Sequence, residues 1–318
     1  MPSRETGGGR TESVCLAAIL KDEDAFVEEW VAHHRLLGID HFFLYDNDPR
    51  QPLRDILALH RDYVTIRPWL VDHTDGSFPG RTKQLKAYEH CLTHDGGKYD
   101  WITFIDGDEF IILNEDTSLK AFLADFQGYD SVVLNWHVFG HNGHYDNPSG
   151  LVIESLTRRM QEPRAVTKSL SRPHAIASPG VHLCRLKKSR SRVDANKKSY
   201  REELYPGKTQ RAHINHYQCR SFTHWMGKVE RGEVGALPED PAQEWRFSRE
   251  GCMRHFVTNI ACGKNEFVDT SALRYAEPVK LYLAALRNGH DAESVRTTLS
   301  ASLRPALLSQ KCRSAAKH

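Results

Sequence analysis

The sequence predicts an α/β protein built on a Rossmann-like, doubly wound, mostly parallel sheet flanked by helices. Three observations carry that prediction. Continuous apolar runs of strand length recur through the first part of the chain, at 14–20, 41–45, 63–66 and 101–105. Stretches with apolar residues at helical spacing separate them, and strands alternating with helices mark βαβ units. The runs are followed by polar, acidic residues at 21–23, 46–48 and 106–109, and sheets of this kind bind ligands beyond the carboxyl ends of their strands.

The elements follow in order. Val14–Leu20 (VCLAAIL) reads as a buried strand. Asp22 is the expected N-cap of a helix carrying Phe26, Val27, Trp30, Val31 and Leu37, which Gly38 ends. His41–Tyr45 (HFFLY) is a second strand, and the turn Asp46-Asn47-Asp48-Pro49 leads to a short helix at Leu53, Ile56 and Leu57. Tyr63–Ile66 is a third strand. After a polar loop at 73–80, Leu85, Tyr88 and Leu92 mark one face of a helix near Thr82–His94. Trp101–Ile105 (WITFI) is the next buried strand, with Phe110–Leu113 and Ser131–Asn135 as later apolar runs.

The chain has 318 residues with 43 Lys+Arg against 41 Asp+Glu, a net charge of +2. That length allows one large domain or two modest ones, and no clean linker marks a division. We therefore expect a flexible lead-in at 1–12, one domain at 13–303 with halves at 13–113 and 114–303, and a basic tail at 304–318. The balanced charge gives no global nucleic-acid signature. Eight of the Lys and Arg residues fall between Arg185 and Arg201, which reads as a solvated loop. No window has the run of about 20 apolar residues that a membrane helix needs. Seven cysteines without a CxxC pair read as buried free thiols in a reducing compartment.

The sharpest chemical feature is Trp101 to Phe110, WITFIDGDEF. Asp106 and Asp108 stand two apart directly after a buried run, with Gly107 letting the backbone turn tightly. Paired carboxylates in one turn suit a hard cation, Mg²⁺ or Mn²⁺, which would offset the charge of a diphosphate leaving group. An acidic turn that merely caps the following segment is the bland alternative. Glu109 would support the pair or form a salt bridge. Lys168 and Arg172 would meet a diphosphate as point charge and as fork, or be ordinary surface bases. Trp136 and Phe139 are sugar-stacking candidates with core packing as the default. The loop Gly140–Gly150 has the composition of a lid.

LKDEDAFVEEWVAHHRLLGIDHFFLYDND (20–48), QLKAYEHC (84–91) and DWITFIDGDEFIIL (100–113) together resemble the family 92 glycosyltransferases and their bacterial family 2-like relatives. LNWHVFGHNGH (134–144), GLVIESLTRR (150–159), TKSLSRP (167–173), GVHLCRLK (180–187) and AHINHYQCRSFTHWMGKVERG (212–232) extend the resemblance in order. It implies a GT-A type fold, a nucleotide-sugar donor and a divalent metal. By motif, Asp106 and Asp108 correspond to the DxD pair, which contacts the metal and the ribose or diphosphate. Lys21, Asp22, Glu23, Tyr45 and Asp46 lie in turns that resemble base- and ribose-holding sites. Gln84 resembles a residue near the nucleotide, and His216 the histidine that completes the metal shell, favouring Mn²⁺ over Mg²⁺. Two features depart from the pattern. Gly107 replaces a larger middle residue, and the luminal anchor of many animal members is missing, so a cytoplasmic enzyme, peripheral at the membrane face through its basic tail, is the expectation.

The resemblance implies inverting transfer from a nucleotide-sugar, a UDP-sugar in this reading, to a hydroxyl on a saccharide, glycolipid or glycoprotein. One general base is then needed within reach of the hydroxyl, and Asp146, Glu154 and His144 are the candidates. Two rival readings remain at this stage. A glycoside hydrolase would need carboxylates about 5–9.5 Å apart across a glycosidic bond. A carbohydrate- or nucleic-acid-binding module would leave the buried DGDEF unexplained.

Overall fold

A computed structural model of the chain describes residues 11–70, 83–200, 210–230, 248–261 and 263–303. The N-terminal half forms in the expected order: β1 (Val14–Leu20), α1 (Val27–Leu37), β2 (His41–Asp46), α2 (Leu53–Ile56), β3 (Val64–Pro68), α3 (Lys83–His94), β4 (Trp101–Phe104) and β5 (Glu109–Leu113). There follow α4 (Leu119–Ala124), β6 (Ser131–Val138), α5 (Val152–Ser155), β7 (Arg158–Arg159) and β8 (Arg164–Ser171). Three short strands, β9 (Ile176–Ser178), β10 (Arg185–Leu186) and β11 (Arg192–Asp194), precede β12 (Ala212–His216) and α6 (Phe222–Glu230). The described chain ends with α7 (Arg249–His255), a π-helical stretch at Phe256–Ala261, β13 (Phe267–Val268), α8 (Ala276–Arg287) and α9 (Ala292–Ser300). The loop expected at 73–80, the lead-in at 1–10 and the basic tail lie outside the described residues.

The central sheet runs β3-β2-β1-β4-β8-β6-β12-β5, with β11 also on β6. β1, β2, β3 and β4 are mutually parallel, as are β6, β11 and β12. β8 runs against both β4 and β6, and β5 runs against β12. The architecture is thus mixed α/β and mostly parallel. Parallel strands bury both faces, so they read as unbroken apolar runs; that is why 14–20 and 101–104 were legible.

α1 begins at Val27, and Asp22 does not cap it. The Asp22 backbone has φ 54°, and the amides of Phe26 and Val27 donate to the Glu23 carbonyl, both at 2.9 Å. At its other end Gly38 has φ +120° and its N–H donates to the carbonyls of His34 and Arg35, a conformation that side chains with a Cβ rarely adopt. α1 also clamps β5. Trp30 Nε1 donates to the Glu109 carbonyl at 2.8 Å and His33 Nε2 to that of Ile111 at 2.9 Å. His34 Nδ1 donates to the Trp30 carbonyl at 2.9 Å, while its Nε2 accepts the Ile111 amide at 3.2 Å. Five described cysteines, 15, 91, 184, 219 and 252, are buried free thiols, as expected.

Candidate functional site

Parallel register gathers the acidic turns at one edge of the sheet. Leu20 pairs with Asp46, and Ala17 with Phe104, so the segments after β1, β2 and β4 emerge side by side. Antiparallel β12 adds His216 there, in register with Glu109. Antiparallel β8 passes in the opposite sense, with Leu170 opposite Thr103. Lys168 is therefore carried past the carboxyl end of β4.

Around the turn, each carboxylate meets a cation. Asp106 Oδ2 accepts from Lys168 Nζ at 2.8 Å, and its Oδ1 from Gln84 Nε2 at 2.7 Å. Asp108 Oδ2 accepts from Lys228 Nζ at 2.6 Å, and its Oδ1 lies 3.4 Å from His216 Nε2. Burial opposes ionisation of Asp108, but the Lys228 ammonium and the His216 imidazole outweigh it and hold the carboxyl well below the usual range. Glu109 is fully buried beneath the turn, where its Oε2 accepts the Asp106 amide at 2.8 Å and lies 3.3 Å from Lys168 Nζ. Burial pushes the Glu109 carboxyl up despite Lys168. Lys168, 1 % exposed, is itself held protonated: desolvation acts against the charge and is overcome by Asp106 and Glu109.

Gly107 is closely packed by side chains of the turn after β1. A Cβ there would stand 2.8 Å from Leu20 Cδ2 and 3.2 Å from Glu23 Cγ. Its carbonyl accepts from Arg220 Nη2 at 2.8 Å, while Arg220 Nη1 donates to Glu23 Oε2 at 2.6 Å. Arg220 is completely buried and stacks over Phe26 at 3.9 Å. It therefore knits the turn after β1 to the acidic turn after β4.

The other expected residues sort by geometry. Gln84, Lys168 and His216 reach the acidic turn, and Trp136 packs on His216 with ring centroids 4.2 Å apart. Lys21 is exposed on the turn after β1. Glu23 is committed to Arg220. Asp46 shapes its own turn, accepting the amides of Asp48 at 3.1 Å and Leu53 at 3.3 Å. Tyr45 Oη bonds His90 Nδ1 at 2.8 Å. Phe139 is core, against Tyr217 at 4.6 Å.

Arg172 is not brought to the site. It stacks on Trp101 at 4.3 Å and pairs with Glu12 at 2.9 Å, at the amino end of β4. It stands four positions along the chain from Lys168, about 13 Å at ~3.3 Å per residue, so one extended segment cannot present both at one edge. Glu154 is also elsewhere, exposed on α5 and ion-paired with Lys280 of α8 at 2.7 Å. His144 and Asp146 sit on a loop held against α6: the Phe222 amide donates to the His144 carbonyl at 3.1 Å, and that of Thr223 to Tyr145 at 2.9 Å. Ser221 Oγ donates to Asn147 Oδ1 at 2.8 Å. The loop thus adjoins the helix that delivers Lys228.

Lys228, Arg220, Tyr88 and His182 escaped the sequence reading as site residues. Tyr88 lies behind Gln84 at 2.8 Å, and His182 packs on Trp136 with centroids 5.3 Å apart. Local sequence held no signal for the two bases. Tyr88 was legible as an apolar helix face and His182 only as part of a resembling segment.

For a divalent cation, Asp108 and His216 are a fitting oxygen and nitrogen pair, and the buried His216 Nδ1 has no hydrogen-bond partner among the described residues. Asp106 turns instead to Lys168. Among the described residues, the trio whose candidate ligand atoms all fall within 4.8 Å is elsewhere: His137, His213 and Asp269. Strand alternation puts His213 on the face of β12 opposite His216. There Arg159 Nε already occupies Asp269 Oδ2 at 2.6 Å, and Asn114 Nδ2 donates to His213 Nδ1 at 3.2 Å. A guanidinium thus supplies the charge that a cation would bring.

An open, mostly parallel sheet with its acidic turn just past β4 defines a mixed α/β protein whose polar site lies at the carboxyl edge of its strands. The sequence model described as glycosyltransferase family 92 matches residues 10–251. The chain belongs to that family. A family 92 protein of Ricinus communis is 26% identical over 232 residues, covering 69% of this chain and 37% of the relative. One from Oryza sativa subsp. japonica is 25% identical over 173 residues, covering 52% and 28%, respectively. One from Arabidopsis thaliana is 24% identical over 191 residues, covering 55% and 31%. The chain thus spans about a third of the length of these curated relatives. Among solved structures, glucosyl-3-phosphoglycerate synthase of Mycobacterium tuberculosis, in a complex with Mn²⁺, UDP-glucose and phosphoglyceric acid, matches at TM-score 0.30 and 13% identity, over 52% of this chain and 58% of that one. No helix among the described residues is long and apolar enough to cross a membrane.

Proposed function

We infer that the chain is a metal-dependent glycosyltransferase that moves a sugar from a nucleotide-sugar, a UDP-sugar in our reading, to a hydroxyl on a saccharide or glycoconjugate. The observation that carries this is the convergence of Asp106, Asp108 and His216 with Lys168 and Lys228 at the carboxyl edge of the sheet. Asp108 and His216 would hold Mn²⁺ or Mg²⁺. Such an ion, when bound, supplies Lewis-acid stabilisation of the departing diphosphate. Asp106, oriented by Gln84 and Lys168, faces the donor ribose or diphosphate. Trp136 offers a ring beside the donor sugar, and the loop bearing His144 and Asp146 excludes water from the donor, whose hydrolysis competes with transfer.

Inversion requires one base to take the acceptor proton. Asp146 is our choice, because its loop adjoins α6, whereas Glu154 is paired away with Lys280. The test is a thermal-shift series with UDP, GDP and ADP, each with and without Mn²⁺. At ~100 times its dissociation constant a ligand stabilises by about 2.7 kcal/mol. A shift that needs both nucleotide and Mn²⁺, and that is lost in Asp108→Asn, is expected; no metal-dependent shift with any nucleotide would sink the reading.

A further inference from the structure

We propose that Lys228 is a displaceable counter-ion: it holds Asp108 while the site is empty and passes to the donor diphosphate when a divalent cation takes its place, so that cation and diphosphate bind together. The proposal rests on the reading of Asp108 as a cation ligand and goes beyond it. Lys228 Nζ lies 2.6 Å from Asp108 Oδ2 and 3.1 Å from the Gln218 carbonyl. It comes from α6, 120 residues along the chain. The ammonium therefore occupies one oxygen of the carboxylate whose other oxygen faces His216 Nε2 at 3.4 Å.

Each carboxylate at the edge meets a cation: Asp106 and Glu109 share Lys168, Asp108 meets Lys228, and Glu23 meets Arg220. A divalent cation alone would add two positive charges to a largely buried group whose carboxylates already have cationic partners, which a low-dielectric site penalises. A diphosphate alone would leave it negative. Cation plus nucleotide-sugar diphosphate restores the balance, and Lys228, freed from Asp108, becomes the nearest ammonium for a phosphate oxygen. Lys168 is a poorer candidate for that movement, being 1 % exposed and tied to Asp106, Glu109 and the Val181 carbonyl. The side chain of Lys228 is 15 % exposed and has two partners.

The experiment is Mn²⁺ titration followed by the electron paramagnetic resonance of free Mn²⁺, which reads binding and not turnover. Wild type should bind Mn²⁺ weakly alone and at least tenfold more tightly with UDP. Lys228→Met should bind Mn²⁺ without UDP at least tenfold more tightly than wild type, and UDP should tighten it much less. Lys228→Arg, which keeps the charge, should behave as wild type. Unchanged or weaker Mn²⁺ affinity in Lys228→Met overturns the proposal. Adding Asp108→Asn to Lys228→Met should erase the gain; a gain that survives places the ion elsewhere and overturns it too. Asp108→Asn alone separates the two readings: if it binds Mn²⁺ with UDP as wild type does, the assignment of Asp108 as ligand has failed, whatever Lys228 does.

Discussion

Lys168 shows at the residue scale how the carboxylates of the acidic turn are compensated by a buried cation. Its ammonium is buried beside Glu109, whose exposure is zero, at 3.3 Å. Removing one partner of a buried pair costs about 3–5 kcal/mol, because the other charge is stranded. Lys168→Met should therefore destabilise the fold by about that amount in urea unfolding, and adding Glu109→Gln should recover part of it; additive losses would contradict the pairing. Gly107 is the second residue-scale case. Gly107→Ala should cost about 1–3 kcal/mol by overpacking against Leu20 and Glu23; unchanged stability would mean that the turn relaxes freely. The paired aspartates themselves were legible, since an acidic break directly after an apolar run is a local signal. Lys228 and Arg220 were not, because nothing in a stretch such as QCRSFTHWMGK tells which basic side chain turns inward.

Among the elements, α1 shows a pattern whose helical period was readable and whose use was not. Its segment EEWVAHHRLLG gave the buried face, but the histidines proved to be clamps on β5. Burial pushes His33 down to about 4 from an ordinary 6.5, the Ile111 carbonyl opposing this only partly, and pushes His34 down as well. Between pH 6.5 and about 4 the unfolded chain binds a proton at His33 that the folded chain does not. Stability is therefore complete above pH 6.5 and falls as the pH drops, by about 3 kcal/mol at ~1.4 kcal/mol per pH unit. Urea unfolding at pH 7 and pH 4.5 should show the loss, reduced in His33→Asn; a pH-independent difference between the two proteins would refute it. β8 makes the complementary point: Lys168 lies on it and Arg172 directly follows it, and each is a candidate either for a diphosphate contact or for an ordinary surface base. An antiparallel strand has two ends, and only Lys168 is at the useful one.

Across the whole molecule, the expectation of one domain over 13–303 can be tested beyond the family match, which ends at 251. α8 places Val279, Tyr282 and Leu283 in the same core as α1 and β1. Tyr282 Oη meets Tyr63 Oη at 2.8 Å, Arg35 pairs with Glu293 of α9 at 2.6 Å, and Asp269 pairs with Arg159 at 2.6 Å. A chain ended at residue 251 should lose cooperative unfolding in circular dichroism, whereas an unchanged melting temperature would show the C-terminal helices to be an appendage.

Local order by itself determined the alternation of strands and helices, the acidic turn after β4 and the small residue within it, because burial on both faces and tight turns leave marks in neighbouring residues. The counter-ions were decided only by the tertiary structure. Lys168 is 62 residues from Asp106, Lys228 is 120 from Asp108, and Arg220 is 197 from Glu23. Strand register sets Lys168 directly, and through β12 it sets the turn and helix that carry Arg220 and Lys228; register depends on pairing across the whole sheet, which no window of sequence contains.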